Sequence, residues 1–173
     1  TGNGATPVAV VLTSAERASL SDGAISVSAI ATDAGGNASP AGTANFTLDT
    51  SAPNAPVFAL GAGVTGGATA AEAIASTGVV TVAAEQGATV VVTFTDGATT
   101  PHTFTKTVIG NGTTPVAVVL SSAERAVLVD GTVSVSAVAT DSAGNASNAG
   151  VVSFTLDSQA PATPSAPASY QDN

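Results

Sequence analysis

Hard-oxygen chemistry is what the side chains of this sequence are best equipped for. Twelve Asp and Glu residues stand against only Arg17, Lys106 and Arg125, the lone histidine is His102, and there is no cysteine. Thiol catalysis and thiolate metal sites are thereby excluded. A general base needs a partnered nucleophile, but His102 lies in a Thr-rich stretch with no G-x-S-x-G or comparable feature beside it, so a solvent-facing strand histidine is expected. What remains is capture of a divalent cation where carboxylates from separate segments converge, and Ca2+ is the natural candidate.

The elements that would bring carboxylates together are set by an internal repeat. TGNGATPVAVVLTSAERASL from Thr1 returns as IGNGTTPVAVVLSSAERAVL from Ile109, 108 residues on. The correspondence runs without insertion or deletion to the SAP ending at Pro53 and the QAP ending at Pro161. A period of this size equals a whole small β-domain rather than a solenoid unit, so a string of beads is expected. Residues 1–52 are then the C-terminal half of one repeat, 53–160 a complete repeat, and 161–173 a linker and the start of a next one, in a chain that looks truncated at both ends. Every candidate acid for a two-carboxylate glycosidase is duplicated by the repeat, which suits architecture better than a single active site. No enzyme is expected.

Composition agrees with a β-domain. Hydrophobic residues make up 44% of the chain, enough for a core, but aromatics only 3%. The excess of Val and Thr favours strands. Seven short segments alternate at period two or end at turn residues: Pro56–Leu60, Gly78–Ala84, Thr89–Thr95, His102–Ile109, Pro115–Leu120, Gly131–Thr140 and Gly150–Asp157. An all-β, immunoglobulin-like antiparallel β-sandwich with short helical turns follows. Val133, Val135, Ala137, Val138, Ala139, Phe154 and Leu156 are expected in its core, and the other phenylalanines also fall in strand positions that suit a core. Asn111-Gly112 predicts a tight turn with both residues at positive φ. Ser121-x-x-Glu124 and Thr13-x-x-Glu16 are capping boxes that predict helical turns, and residues 69–74 predict another.

In such a sandwich the loop after the second strand and the loop before the last strand lie at the end that receives the preceding linker. Asp49 in the linker, Glu85 and Asp141 in those loops, and Asn145 beside Asp141 are thus candidate calcium ligands. Asp33 with Asn37, and Asp157 with Asp172, are their counterparts at the neighbouring junctions. The plainer alternative is that TD-x-x-GN is an Asx turn satisfying its own backbone. No EF-hand or nonapeptide calcium motif is present.

The motifs AEQGATVVVTF, DG-x-(I/V)-SVSA-x-ATD-x-x-GNAS and FTLD-x-x-AP resemble the calcium-dependent tandem bacterial immunoglobulin-like extender domains of giant repeats-in-toxin (RTX) adhesins, over essentially the whole chain. APASYQDN is similar to the opening of a further extender domain. Gln86 and Gly35 depart from the commoner family pattern without removing an oxygen ligand. The resemblance implies a stalk exported by type I secretion, projecting an adhesive domain from a Gram-negative cell surface for biofilm formation or attachment. It also implies calcium at Asp49, Glu85 and Asp141, stiffening the junctions.

The net charge of −9 and a pI near 4.1 argue against nucleic acid and against direct contact with anionic membranes. No stretch is long and apolar enough to span a bilayer, and any export signal is expected outside this sequence. The expected partners are neighbouring repeats of the same chain, and the expected state is monomeric. A carbohydrate- or ligand-binding sandwich is the alternative, for which Tyr170 is the one candidate stacking residue. Lys106, the sole lysine, reads as a solvated edge-strand charge rather than half of an isopeptide staple.

Overall fold

Period-two alternation is realised in strands whose inner faces are almost purely Val, Ala and Phe. The computed structural model describes residues 6–165, and the chain divides into two units, Thr1–Ser51 and Ala52–Asn173. Tyr170 and Asp172 lie outside the described residues.

Unit 1 contains helix α1 (Ser14–Ala18) and strands β1 (Gly23–Ala29) and β2 (Gly42–Leu48). β1 and β2 form an antiparallel pair from Gly23↔Leu48 to Ala29↔Gly42. Residues 7–12 form no strand, although their counterparts in the second repeat do. The physical reason is a missing ladder partner: the counterpart strand pairs with one from the first half of a repeat, which unit 1 lacks. No described residue of unit 1 is buried, and Val10, Leu12, Val27 and Phe46 are exposed. A core position for Phe46 is therefore not realised.

Unit 2 is a two-sheet sandwich. Its strands are β3 (Val57–Leu60), β4 (Val80–Ala84), β5 (Thr89–Asp96), β6 (Thr103–Ile109), β7 (Gly112–Val118), β8 (Gly131–Thr140) and β9 (Gly150–Leu156). One sheet has the order β3-β4-β7 and the other β6-β5-β8-β9, with every pair of neighbouring strands antiparallel. Short helices α2 (Ala70–Ala73) and α3 (Ser122–Val127) both begin with complete capping boxes, Thr69/Glu72 and Ser121/Glu124, as the spacing predicts.

Val82, Val90, Val92, Phe94, Val133, Val135, Phe154 and Leu156 fill the space between the sheets, and Phe94 stacks on Phe104 at 5.2 Å. Two sequence expectations are corrected here. Val138 faces outward with Ser134 and Ser136, because the strict alternation of β8 leaves Ala137 and Ala139 inside. Asn111-Gly112 does not close a hairpin: β6 and β7 belong to different sheets, so the chain must cross the sandwich there. Of the pair only Gly112 takes positive φ, at 65°, and among the described residues no non-glycine residue does.

Candidate functional site

One end of unit 2 collects the chain entry and two loops. Val57 pairs with Ala83 near the end of β4, so the entering segment reaches β3 beside the β4–β5 loop that carries Glu85. Thr89, the first residue of β5, pairs with Thr140, the last of β8, so the loop opening with Asp141 lies at the same end. Two glycines permit this crowding. A side chain at Gly150 would overlap the Pro56 carbonyl, and one at Gly110 the Glu85 carbonyl. The β4–β5 loop is tied down by Gly87 N–H to Gly110 O at 2.9 Å and Gly110 N–H to Ala88 O at 2.8 Å.

Glu85, Asp141 and Asn145 are therefore brought to one end, while Asp157 follows Leu156, which pairs with Gly131 at the other. Asp49 and Asp33 belong to unit 1. Among the described residues, no three Asp, Glu or His side chains gather to hold a metal ion. The donors at the entry end are carboxylate, amide and carbonyl oxygens, the kind of ligand calcium takes.

Asp141 shows how such a loop keeps a carboxylate charged. Its Oδ1 accepts N–H bonds from Ala143 and Asn145, both at 2.9 Å, and its Oδ2 accepts the Asn145 side-chain amide at 2.9 Å. The Asn145 side chain, opposed by partial desolvation and aided by the loop N–H groups, holds the carboxyl below its ordinary range. Asp33 repeats the arrangement with Asn37 N–H and side chain at 2.9 Å each, and is lowered chiefly by Asn37. The Asx-turn reading of TD-x-x-GN is thus realised in both copies, and it orders an acidic loop.

Asp49 and Asp157 also cap linker backbone. Asp49 accepts the Ser51 N–H and Asp157 the Gln159 N–H, each at 3.1 Å.

No protein-family model matches this chain, and no curated protein does. Among solved structures it is similar to one described as the crystal structure of a tetra-tandem repeat in the extending region of a large adhesion protein. The identity is 29%, the match covers 80% of this chain and 33% of that one, and the TM-score is 0.43. The chain spans about a third of the length of that structure.

Four carboxylate roles were not foreseen from the sequence. Asp22 and Asp130, each before the glycine that opens a long strand, accept bonds from the residues that follow the last strand. The visible signal is the Asp-Gly preceding SVSA in both copies, which reads as a turn. Asp96 is buried at the end of β5 and accepts N–H bonds from Ala98, His102 and Val129. Burial pushes its carboxyl up, but these bonds and the His102 ring outweigh it and hold the group far below the usual range. His102 is corrected only in its element: it precedes β6, and its ring, 46% exposed, faces solvent as expected while its Nδ1 lies 2.8 Å from Asp96 Oδ2. Lys106 is corrected as well. Rather than being solvated, it forms a half-buried pair with Glu124, the fourth of these carboxylates, which is also the capping residue of α3.

Proposed function

We propose that this chain is a segment of a stalk: tandem sandwich beads of a large bacterial surface adhesin that hold a distal adhesive domain away from the cell. The single observation that carries the proposal is the polarity of unit 2. The chain enters beside Glu85 and Asp141 and leaves past Asp157 at the opposite end of the sandwich, so a repeat of this kind adds length. At about 3.3 Å per residue, ten-residue β8 alone corresponds to roughly 33 Å. The long sequence repeat supports the same reading, since an adhesive or catalytic site has no need of near-identical copies in series.

The resemblance to RTX-adhesin extenders extends this reading to calcium. Asp49, Glu85, Asp141 and Asn145 would hold Ca2+, with Asp33 and Asp157 in the same role at neighbouring junctions. The ion would supply the charge that lets carboxylates of separate segments share one site, stiffening the array outside the cell, where calcium is plentiful. Export by type I secretion, surface display on a Gram-negative bacterium and a part in biofilm formation belong to the same proposal, as does a purely structural, non-enzymatic role.

The test is thermal unfolding of the 173-residue chain with calcium and with chelator, beside small-angle scattering. A higher melting point and a longer, stiffer particle in calcium are expected. An identical melting point and scattering profile in chelator would leave a calcium-independent spacer or a ligand-binding sandwich as the better account.

A further inference from the structure

Where two antiparallel strands end together, the chain beyond the last pair is normally free to diverge. In this protein it is held. β8 and β9 end at Gly131↔Leu156, and β1 and β2 at Gly23↔Leu48. The residue before each glycine is Asp130 or Asp22, and each glycine takes a φ of about 124° or 123° that suits only glycine.

Asp130 Oδ1 accepts the Ser158 N–H at 3.1 Å and the Ser158 hydroxyl at 2.8 Å, and its Oδ2 accepts the same hydroxyl at 3.0 Å. Asp22 Oδ1 accepts the Thr50 N–H at 3.0 Å and the Thr50 hydroxyl at 2.8 Å, while its Oδ2 accepts the Ser51 hydroxyl at 2.8 Å. The next N–H in each copy goes to the other carboxylate: Ser51 to Asp49 and Gln159 to Asp157. Two successive linker N–H groups are therefore fixed by two carboxylates in each repeat, although the linker residues differ, Thr-Ser in one and Ser-Gln in the other.

We propose that Asp22 and Asp130 are positioning residues that set the path by which the chain leaves each repeat, through a carboxylate clamp on the hydroxyl and N–H of the residue two places past the final strand. The requirement is for an acceptor-only group facing two donors. An amide keeps one acceptor oxygen and loses the charge that strengthens these bonds, and a longer Glu would overshoot the strand end. The clamp also assigns a job to the small hydroxyl residue after FTLD, Thr50 in one copy and Ser158 in the other: it supplies the side-chain donor that a hydrophobic residue lacks. Its meaning for stiffness rests on the stalk reading, but its existence does not, and it acts without any metal.

The experiment is amide hydrogen exchange by NMR on the full 173-residue chain in chelator, comparing the parent with Asp22→Asn, Asp130→Asn and Thr50→Val. Charge-assisted bonds of this kind slow exchange by about tenfold or more. Asp22→Asn is expected to speed exchange at Thr50 by about that factor with β1 and β2 amides unchanged, and Ser158, clamped by Asp130, unaffected as the internal control. Asp130→Asn, in the unit with a full core, is expected to do the same at Ser158 and leave Thr50 alone. Thr50→Val should speed exchange at Ser51 as well, by releasing the turn. Unaltered exchange at Ser158 in Asp130→Asn, or a uniform acceleration across β8 and β9, would overturn the clamp. Running the series in chelator separates its failure from failure of the calcium proposal.

Discussion

Lys106 on β6 and Glu124 on α3 form a bidentate ion pair, with the ammonium 3.0 and 2.9 Å from the two carboxylate oxygens. Glu124 also accepts the Ser121 N–H at 2.7 Å, so one carboxylate caps its helix and fastens it to an edge strand. The Ser121 N–H is the main cause of its lowered pKa, partly opposed by desolvation and aided by Lys106.

Replacing Lys106 by Met should therefore cost little, about 1 kcal/mol at low salt and less at high salt, since both side chains are about a quarter exposed. Glu124→Ala should cost more, because it removes the cap as well, by about 1 kcal/mol further. Chemical denaturation of both variants at two ionic strengths checks this: the ion-pair part common to both should shrink with salt, and the extra cost of Glu124→Ala, which comes from the cap, should remain.

Asp96 should dominate the acid stability of unit 2. Its carboxyl is depressed in the folded state, so its contribution is fully present above the ordinary value of 3.8 and is lost as pH falls below it. Acid unfolding followed by circular dichroism should begin under pH 4 in the parent chain. Asp96→Asn should lower stability at pH 7, where the charge-assisted bonds are lost, and flatten the acid limb.

Val27 and Val135 occupy the same repeat position, yet Val27 is 43% exposed and Val135 1%. Val135→Ala should cost about 2 kcal/mol and Val27→Ala less than about 0.5 kcal/mol. The exposed apolar face around Val27 and Phe46 should also bind an environment-sensitive dye, and Phe46→Ser should reduce that signal without moving the unfolding midpoint of unit 2.

If calcium closes a junction, Asp141→Ala should abolish the calcium response while leaving the unit 2 sandwich folded in chelator. At calcium about one hundred times the dissociation constant, the lost stabilisation should be about 2.7 kcal/mol per site. Isothermal titration of the variant beside the parent measures it directly.

The sandwich was legible because its strands obey one rule, an apolar residue at every second position between turn residues, as in Val133, Val135 and Ala137. The helical turns were legible because a capping box is a purely local signal. What escaped depends on partners distant in sequence. Nothing near His102 announces that Asp96 will be buried beside it, and nothing near Ser158 announces Asp130, 28 residues earlier. Asn111-Gly112 misled for the same reason, since the local pair fits a hairpin but the sheets to which β6 and β7 belong are decided by β4 and β5.

The opposite placement of entry and exit also has a mechanical consequence. β9 lies antiparallel to β8 from Gly150 to Leu156, and the chain departs in the direction in which β9 runs. Ladder hydrogen bonds stand perpendicular to the strands. Tension drawn along the polypeptide therefore loads every rung between Ala137↔Gly150 and Gly131↔Leu156 in shear at once, rather than peeling them one by one. A bead built this way resists pulling by sharing the load across the whole ladder.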